Sequence, residues 1–183
     1  LAALLNSQPM GFYSPSQLVQ DARRHGVEVR PADVVLSQWD CTLEDGAVRL
    51  GLRIVGGLAA AAGERIVASR PCASLEELAR RAGLDRRHLN CLAAAGALQS
   101  LAGHRRTAHW ISSGIENNPP MKIHAMEKIP ELAPPSEGEE IVADYQSLGF
   151  TLRRHPLALL RNHLEKLKIV KAENLSLLAH GTR

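Results

Sequence analysis

Leu50-Gly-Leu-Arg-Ile-Val-Gly-Gly-Leu-Ala-Ala-Ala-Ala-Gly-Glu-Arg-Ile-Val-Ala-Ser-Arg70 is the most informative stretch of this chain. An apolar helical run ends in Gly56-Gly57, and small residues then lead into a second helix through Ile66 and Val67. The pattern is helix, glycine turn, helix. Glycine lets the backbone take positive φ and approach a neighbour closely. The helix that follows opens on N–H groups without intrahelical partners, at the positive end of its dipole. Amides arranged in this way make a seat for a phosphate oxygen. The candidate contact falls on Gly56, Gly57, Leu58, Ala59, Ala60 and Ala61, with Arg53 and Arg65 beside it. No base-reading side chain is involved, so such a contact carries no sequence preference.

This is the layout of a helix-hairpin-helix unit, and a looser second copy follows it. Asp85 is placed to cap a helix from Arg86 to Ala95, whose buried face is Leu89, Leu92 and Ala93. Gly96 breaks that helix, and Gly103 precedes a last one through Trp110. Gly103, His104, Arg105 and Arg106 therefore open a basic helix and are the second group of candidate DNA contacts. Two readings of the hairpins remain open: contact with duplex DNA, or a structural role as a packing scaffold for neighbouring protein.

The flanking motifs carry a resemblance. Upstream stand Ala-Leu-Leu-Asn-Ser-Gln-Pro-Met-Gly-Phe-Tyr-Ser-Pro (Ala3 to Pro15) and Val-Gln-Asp-Ala-Arg-Arg-His-Gly-Val-Glu-Val-Arg-Pro (Val19 to Pro31). Downstream come Ala-Gly-Ala-Leu (Ala95 to Leu98), Ala-Gly-His-Arg-Arg (Ala102 to Arg106) and Leu-Gly-Phe-Thr-Leu-Arg-Arg-His-Pro-Leu (Leu148 to Leu157). In this order the chain resembles the bacterial C-family DNA polymerases, relatives of the DNA polymerase III alpha subunit, and in particular their error-prone, translesion branch. The resemblance covers nearly the whole chain. It implies the end of the fingers domain at 1–33, a tandem helix-hairpin-helix domain at 51–113, and a helical segment at 139–183 leading towards an oligonucleotide-binding barrel.

The resemblance also implies duplex DNA as partner, Mg²⁺ as cofactor of the parent polymerase, and accessory translesion proteins or a sliding clamp as further partners. The metal-holding aspartates of that family lie in a palm domain upstream of these motifs. The chain opens on Leu1 in what reads as mid-helix, so it is expected to be a piece of a longer protein. Two-metal phosphoryl transfer needs converging carboxylates, and the sequence has no Asp-x-Asp. No catalytic residue, resident cofactor or metal site is assigned, and the piece by itself is not expected to polymerise DNA. Gln146-Ser-Leu-Gly-Phe150 has the outline of a clamp-binding peptide, but Leu148-Gly149 belongs to the motif above, which places Phe150 in the core.

Composition agrees with a globular helical chain. The 183 residues are 45% hydrophobic, with only two each of Phe, Trp and Tyr and a net charge of +3. There is no apolar run of ~18 residues and no signal-peptide pattern, so neither a membrane span nor export is expected. Three well-separated cysteines, Cys41, Cys72 and Cys91, fit reduced thiols in the cytoplasm. Residues 49–110 carry ten basic against four acidic side chains, whereas residues 111–148 carry two against seven. The positive excess thus coincides with the phosphate-binding layout.

The expected fold is mainly α with one small β-hairpin. Ser14-Pro15 opens a helix closed by His25-Gly26, and Val27 to Val35 is extended, broken at Pro31. Residues 34–50 form a hairpin connector, with Trp39 to Leu43 and Ala47 to Leu52 as strands and Asp45-Gly46 as turn. Trp39 is expected at the core edge. Ser74 and Glu77 form a capping box. Residues 114–138, rich in proline and acids, form a linker that includes one helical turn at Met121 to Met126. A helix runs from Glu139 to Gly149, and His155 caps another over Leu157 to Leu167. None of the eight histidines stands at a firm metal spacing. Two positions depart from the resembled pattern. Ala59 stands where a glycine is usual, and Gly63 where a large apolar residue is usual, which would strain the turn and thin the packing.

Overall fold

The computed structural model describes residues 1–115 and 130–177. They form two compact units, 1–152 and 153–183, each treated by itself. In the first unit, α1 (Ala2–Asn6) and α2 (Pro15–Arg24) precede a three-stranded sheet. Ser14 Oγ accepts from the N–H of Gln17, and the Gln17 side chain accepts from the N–H of Ser14, which fixes the start of α2.

Strands β2 (Thr42–Glu44) and β3 (Ala47–Arg49) pair antiparallel through the Asp45-Gly46 turn. Both turn residues have positive φ, as a two-residue hairpin turn requires. β1 (Val29–Arg30) adds to β3 in parallel, so the expected hairpin is the core of a sheet of order β1-β3-β2. The strands are shorter than predicted. At Gly51 the chain crosses residues 39–41 so closely that a Cβ would lie 2.3 Å from the Trp39 carbonyl oxygen, and the ladder stops there.

The helical part contains α3 (Ala60–Ala68), α4 (Leu75–Ala82), α5 (Arg86–Ala94), α6 (Gln99–Ala102), α7 (Arg105–Gly114) and α8 (Glu137–Leu148). Ser74 Oγ caps α4 at Glu77, but the Glu77 carboxylate accepts from Ala73 rather than Ser74. Asp85 and His88 form a reciprocal box at α5. Leu52, Val55, Leu58, Ile66, Leu75, Leu78, Leu84, Leu89, Leu92 and Leu98 share one core with Ala62 and Ala108. Leu5, Val19, Ala32, Cys41 and Leu50 form a second, which Phe150 joins from beyond α8. Phe150 is therefore a core residue, as expected.

Gly63 is not a packing defect. A Cβ there would fall 2.3 Å from the Trp39 ring, so the indole occupies the space a larger residue would take. Of the predicted 114–138 linker, residues 116–129 and the turn expected at Met121 to Met126 lie outside the described residues. α7 runs on to Gly114, and Ser136 starts α8 earlier than predicted by capping it with Glu139.

In the second unit, α9 (Pro156–Leu159) and α10 (Arg161–Lys166) replace the single predicted helix. The break falls at Leu160, whose carbonyl accepts from both His163 and Leu164. His155 Nδ1 accepts from the N–H of Leu157, the capping role expected of it. Among the described residues, no helix is long and apolar enough to cross a membrane.

Candidate nucleic-acid interface

The first hairpin enters through a single 3₁₀ turn, Leu52–Ile54, rather than the predicted α-helical run. Its connection turns at Gly57, where φ is +81°. Two constraints exclude a side chain at Gly57: the left-handed backbone, and the Cys91 Sγ that a Cβ would approach to 3.1 Å. Gly56 is held elsewhere. Its N–H donates to the Ser147 carbonyl at 3.1 Å, so this amide is not available as predicted. Leu58 is also corrected, because its side chain is buried and its N–H donates to Val55.

What remains is an exposed helix start. Ala59, the residue before α3, has φ −76° and ψ 147°, an extended conformation open to any residue. The strain expected from the missing glycine does not arise. Ala59 offers no side-chain cap, and its carbonyl accepts from Ala62 and Gly63. The N–H groups of Gly57, Ala59, Ala60 and Ala61 have no acceptor among the described residues. These four amides sit where α3 presents the positive end of its dipole.

Arg65 lies beside them and is fixed in place. Its Nε donates to the Ala82 carbonyl at 2.7 Å, its Nη1 to Ala61 at 3.2 Å and its Nη2 to Gly83 at 3.4 Å. The guanidinium thus satisfies the last carbonyls of α4 while holding its charge next to the α3 start. Arg53 is paired with Asp40 at 2.6 Å.

The second hairpin is closed. Gly96, φ +70°, makes its turn after α5, and α6 follows. At the start of α6 the Ser100 N–H donates to Oδ2 of Asp33 at 3.2 Å. The other Asp33 oxygen accepts from Val35 at 2.8 Å, and the whole side chain is buried. The next helix start is closed too. His104 Nδ1 accepts from the N–H of Thr107, and Nε2–H donates to the Leu132 carbonyl at 3.0 Å. Gly103 only links α6 to α7.

Arg105 does not face outward as predicted, and Arg106, though exposed, is paired within the protein. Arg105 is buried, with Nη1 2.6 Å from Glu140 and Nη2 2.6 Å from Asp144. Gly96 makes room for this, because a Cβ there would meet Nη2 at 3.0 Å. Arg106 donates to the Ala133 carbonyl at 2.9 Å and pairs with Glu139 at 3.1 Å. Both arginines fasten the start of α7 to α8, and Arg106 also holds the segment before it. Local titration follows these contacts. Hydrogen bonds from Ser136 hold the Glu139 carboxyl below its ordinary range, and the His88 N–H does the same for Asp85. Burial, with the Arg105 charge second, lowers the pKa of His109.

Comparison with known proteins agrees with this geometry. A helix-hairpin-helix motif family matches residues 26–108. The chain is 54% identical to an error-prone DNA polymerase of Alkalilimnicola ehrlichii, over 98% of its own length and 18% of that protein. It is 51% identical to the error-prone DNA polymerase of Dechloromonas aromatica, over 100% of the chain and 18% of that protein. With that of Methylococcus capsulatus the figures are 47%, 98% and 20%. The chain belongs to the error-prone DNA polymerase family.

It spans about a fifth of the length of these curated relatives. In this error-prone polymerase segment the structure brings Gly57, Ala59, Ala60, Ala61 and Arg65 together at one exposed helix start. It leaves Gly56, Leu58, Arg105 and Arg106 in structural roles, and Arg53 in an ion pair. Sequence reading did not find Asp33 as the closing group of the second hairpin. The two residues lie 67 positions apart, and no local pattern connects them.

Proposed function

We propose that this segment holds the sugar–phosphate backbone of duplex DNA, without sequence preference, for an error-prone DNA polymerase that copies damaged templates. The observation that supports this most is the set of four amides at Gly57 and Ala59–Ala61 that have no acceptor among the described residues, with Arg65 fixed beside them. A phosphate fits both the open donors and the local positive potential. Nucleotide transfer with Mg²⁺ belongs to this reading only through the longer protein. Among the described residues, no three His, Cys, Asp or Glu side chains converge to hold a metal, so no step of that chemistry is derived from this segment.

The rival reading is a scaffold that only packs polymerase parts together. Its support is the pairing of Arg53, Arg105 and Arg106 with acids of the same chain. A salt titration of binding to a labelled random-sequence duplex separates the two. DNA binding predicts micromolar or weaker affinity at physiological salt. It also predicts that log K falls with log salt at a slope of about −2, for two neutralised phosphates. Gly57→Val should abolish this binding in a protein that still melts cooperatively. An unchanged affinity in that variant, or no binding by the wild type at ~50 mM salt, would leave the scaffold.

A further inference from the structure

Arg87 took no part in the sequence reading, yet the fold carries it to the edge of the open hairpin. It is exposed on α5, and its guanidinium has no hydrogen bond or ion pair among the described residues. Two contacts locate it. Gly57 lies against Cys91, which follows Arg87 by four residues and so shares its face of α5, ~6 Å along the axis. On the other side, Arg65 joins Ala61 in the first turn of α3 to Gly83, just before the Asp85 cap of α5. Gly57, just before α3, is thereby seated on α5, and the first turn of α3 is tied through Arg65 to the turn that precedes α5.

The charges around this site decide what Arg87 can do. Arg65 has three carbonyl acceptors inside the protein, and Arg53 has Asp40. The carboxylate at the start of α5, Asp85, accepts from the N–H of His88. Arg87 is thus an uncommitted cation on the face of α5 that carries Cys91. Its long side chain reaches outward from a helix surface, whereas the amides stay fixed in the backbone.

We infer that Arg87 takes the DNA phosphate next to the one seated on the Gly57–Ala61 amides, extending the interface from the α3 start onto α5. This inference rests on the proposal that the first hairpin binds duplex DNA. The amides would fix where the backbone sits, and Arg87 would supply the mobile charge that adds affinity and displaces a counterion.

The test compares Arg87→Ala, Arg87→Lys, Gly57→Val and, as a control, Arg24→Ala on exposed α2, by anisotropy with a labelled random-sequence duplex. Arg87→Ala should weaken binding about tenfold at ~50 mM salt and reduce the salt slope by about 0.9, one phosphate's worth. Arg87→Lys should retain the slope, Arg24→Ala should match the wild type, and none of the three should shift the melting temperature. A wild-type slope in Arg87→Ala, with Gly57→Val still impaired, overturns the role of Arg87 and leaves the hairpin reading standing. Indifference to Gly57→Val, or no wild-type binding at all, overturns both.

Discussion

The two hairpins read almost alike in sequence and end up chemically opposite. Each has a helical entry, a glycine with positive φ and a further helix after it. In the first, the helix start at Ala59 has no side-chain cap. In the second, Asp33 fills the start of α6 and His104 the start of α7. A carboxylate on a helix N-terminus satisfies the same amides and the same dipole that a phosphate would. What separates a nucleic-acid contact from a structural joint here is therefore not the turn itself. It is whether the chain supplies its own acceptor.

The largest expected effect lies on the closed side. Arg105→Ala removes the cation from a buried cluster with Glu140 and Asp144, a loss worth about 3 kcal/mol or more. For a chain of this size that lowers the melting temperature by roughly 6–12 °C. The folded fraction should bind DNA like the wild type, because Arg105 does not face outward. If Arg105→Ala instead melts normally and loses DNA, the division between the hairpins is wrong.

A smaller change sharpens the comparison at the open side. Ala59→Asp gives α3 a side-chain cap of the kind that opens α2, α4, α5, α7 and α8, which should add about 1 kcal/mol and raise the melting temperature by roughly 2–4 °C. The same carboxylate would occupy the phosphate seat, so DNA affinity should fall by about tenfold or more. Stability and binding moving in opposite directions is the signature. A variant that gains stability and keeps its affinity would place DNA elsewhere.

The smallest effect is expected in acid. His109 and Glu139 both have lowered pKa values in the folded state. The folded protein therefore binds fewer protons than the unfolded chain. The stability these groups give is complete above their unfolded values and is lost as pH falls through the folded ones, first for His109 and then for Glu139. Both lie on α7 and α8, whereas the α3 start has no titrating cap. Hydrogen-exchange protection factors, taken relative to the intrinsic rate at each pH, should fall at α7 and α8 before α3 between pH 7 and pH 4. An equal fall everywhere would dissolve the distinction.

Local physics was legible in the sequence. Ser14, Ser74, Asp85 and His155 cap the helices they were expected to cap, because each bond spans three residues or fewer. The Asp45-Gly46 turn and the burial of Phe150 were legible for similar reasons. The misreadings involve partners far along the chain. Gly63 looks like a gap until Trp39, 24 positions earlier, is seen against it. Arg105 and Arg106 look like DNA contacts because basic residues at a helix start suit an anion. Their partners on α8 lie 33 to 39 residues later, beyond any periodic signal. In the candidate site, sequence located the glycine turn but not which amides the fold would leave free.

The order in which these partners leave the ribosome gives the two closing devices different histories. Asp33 is synthesised before α6, so the acceptor is already waiting when Ser100 emerges. Arg105 emerges before its acceptors, and Asp144 follows 39 residues later. At roughly 5–20 residues per second, that gap lasts about two to eight seconds. During that interval the nascent chain carries an unpaired arginine at the start of α7. Docking of α8 is then the step that ends its exposure, so a translational pause between these two helices would prolong the one stage at which the second hairpin, too, is open to anions.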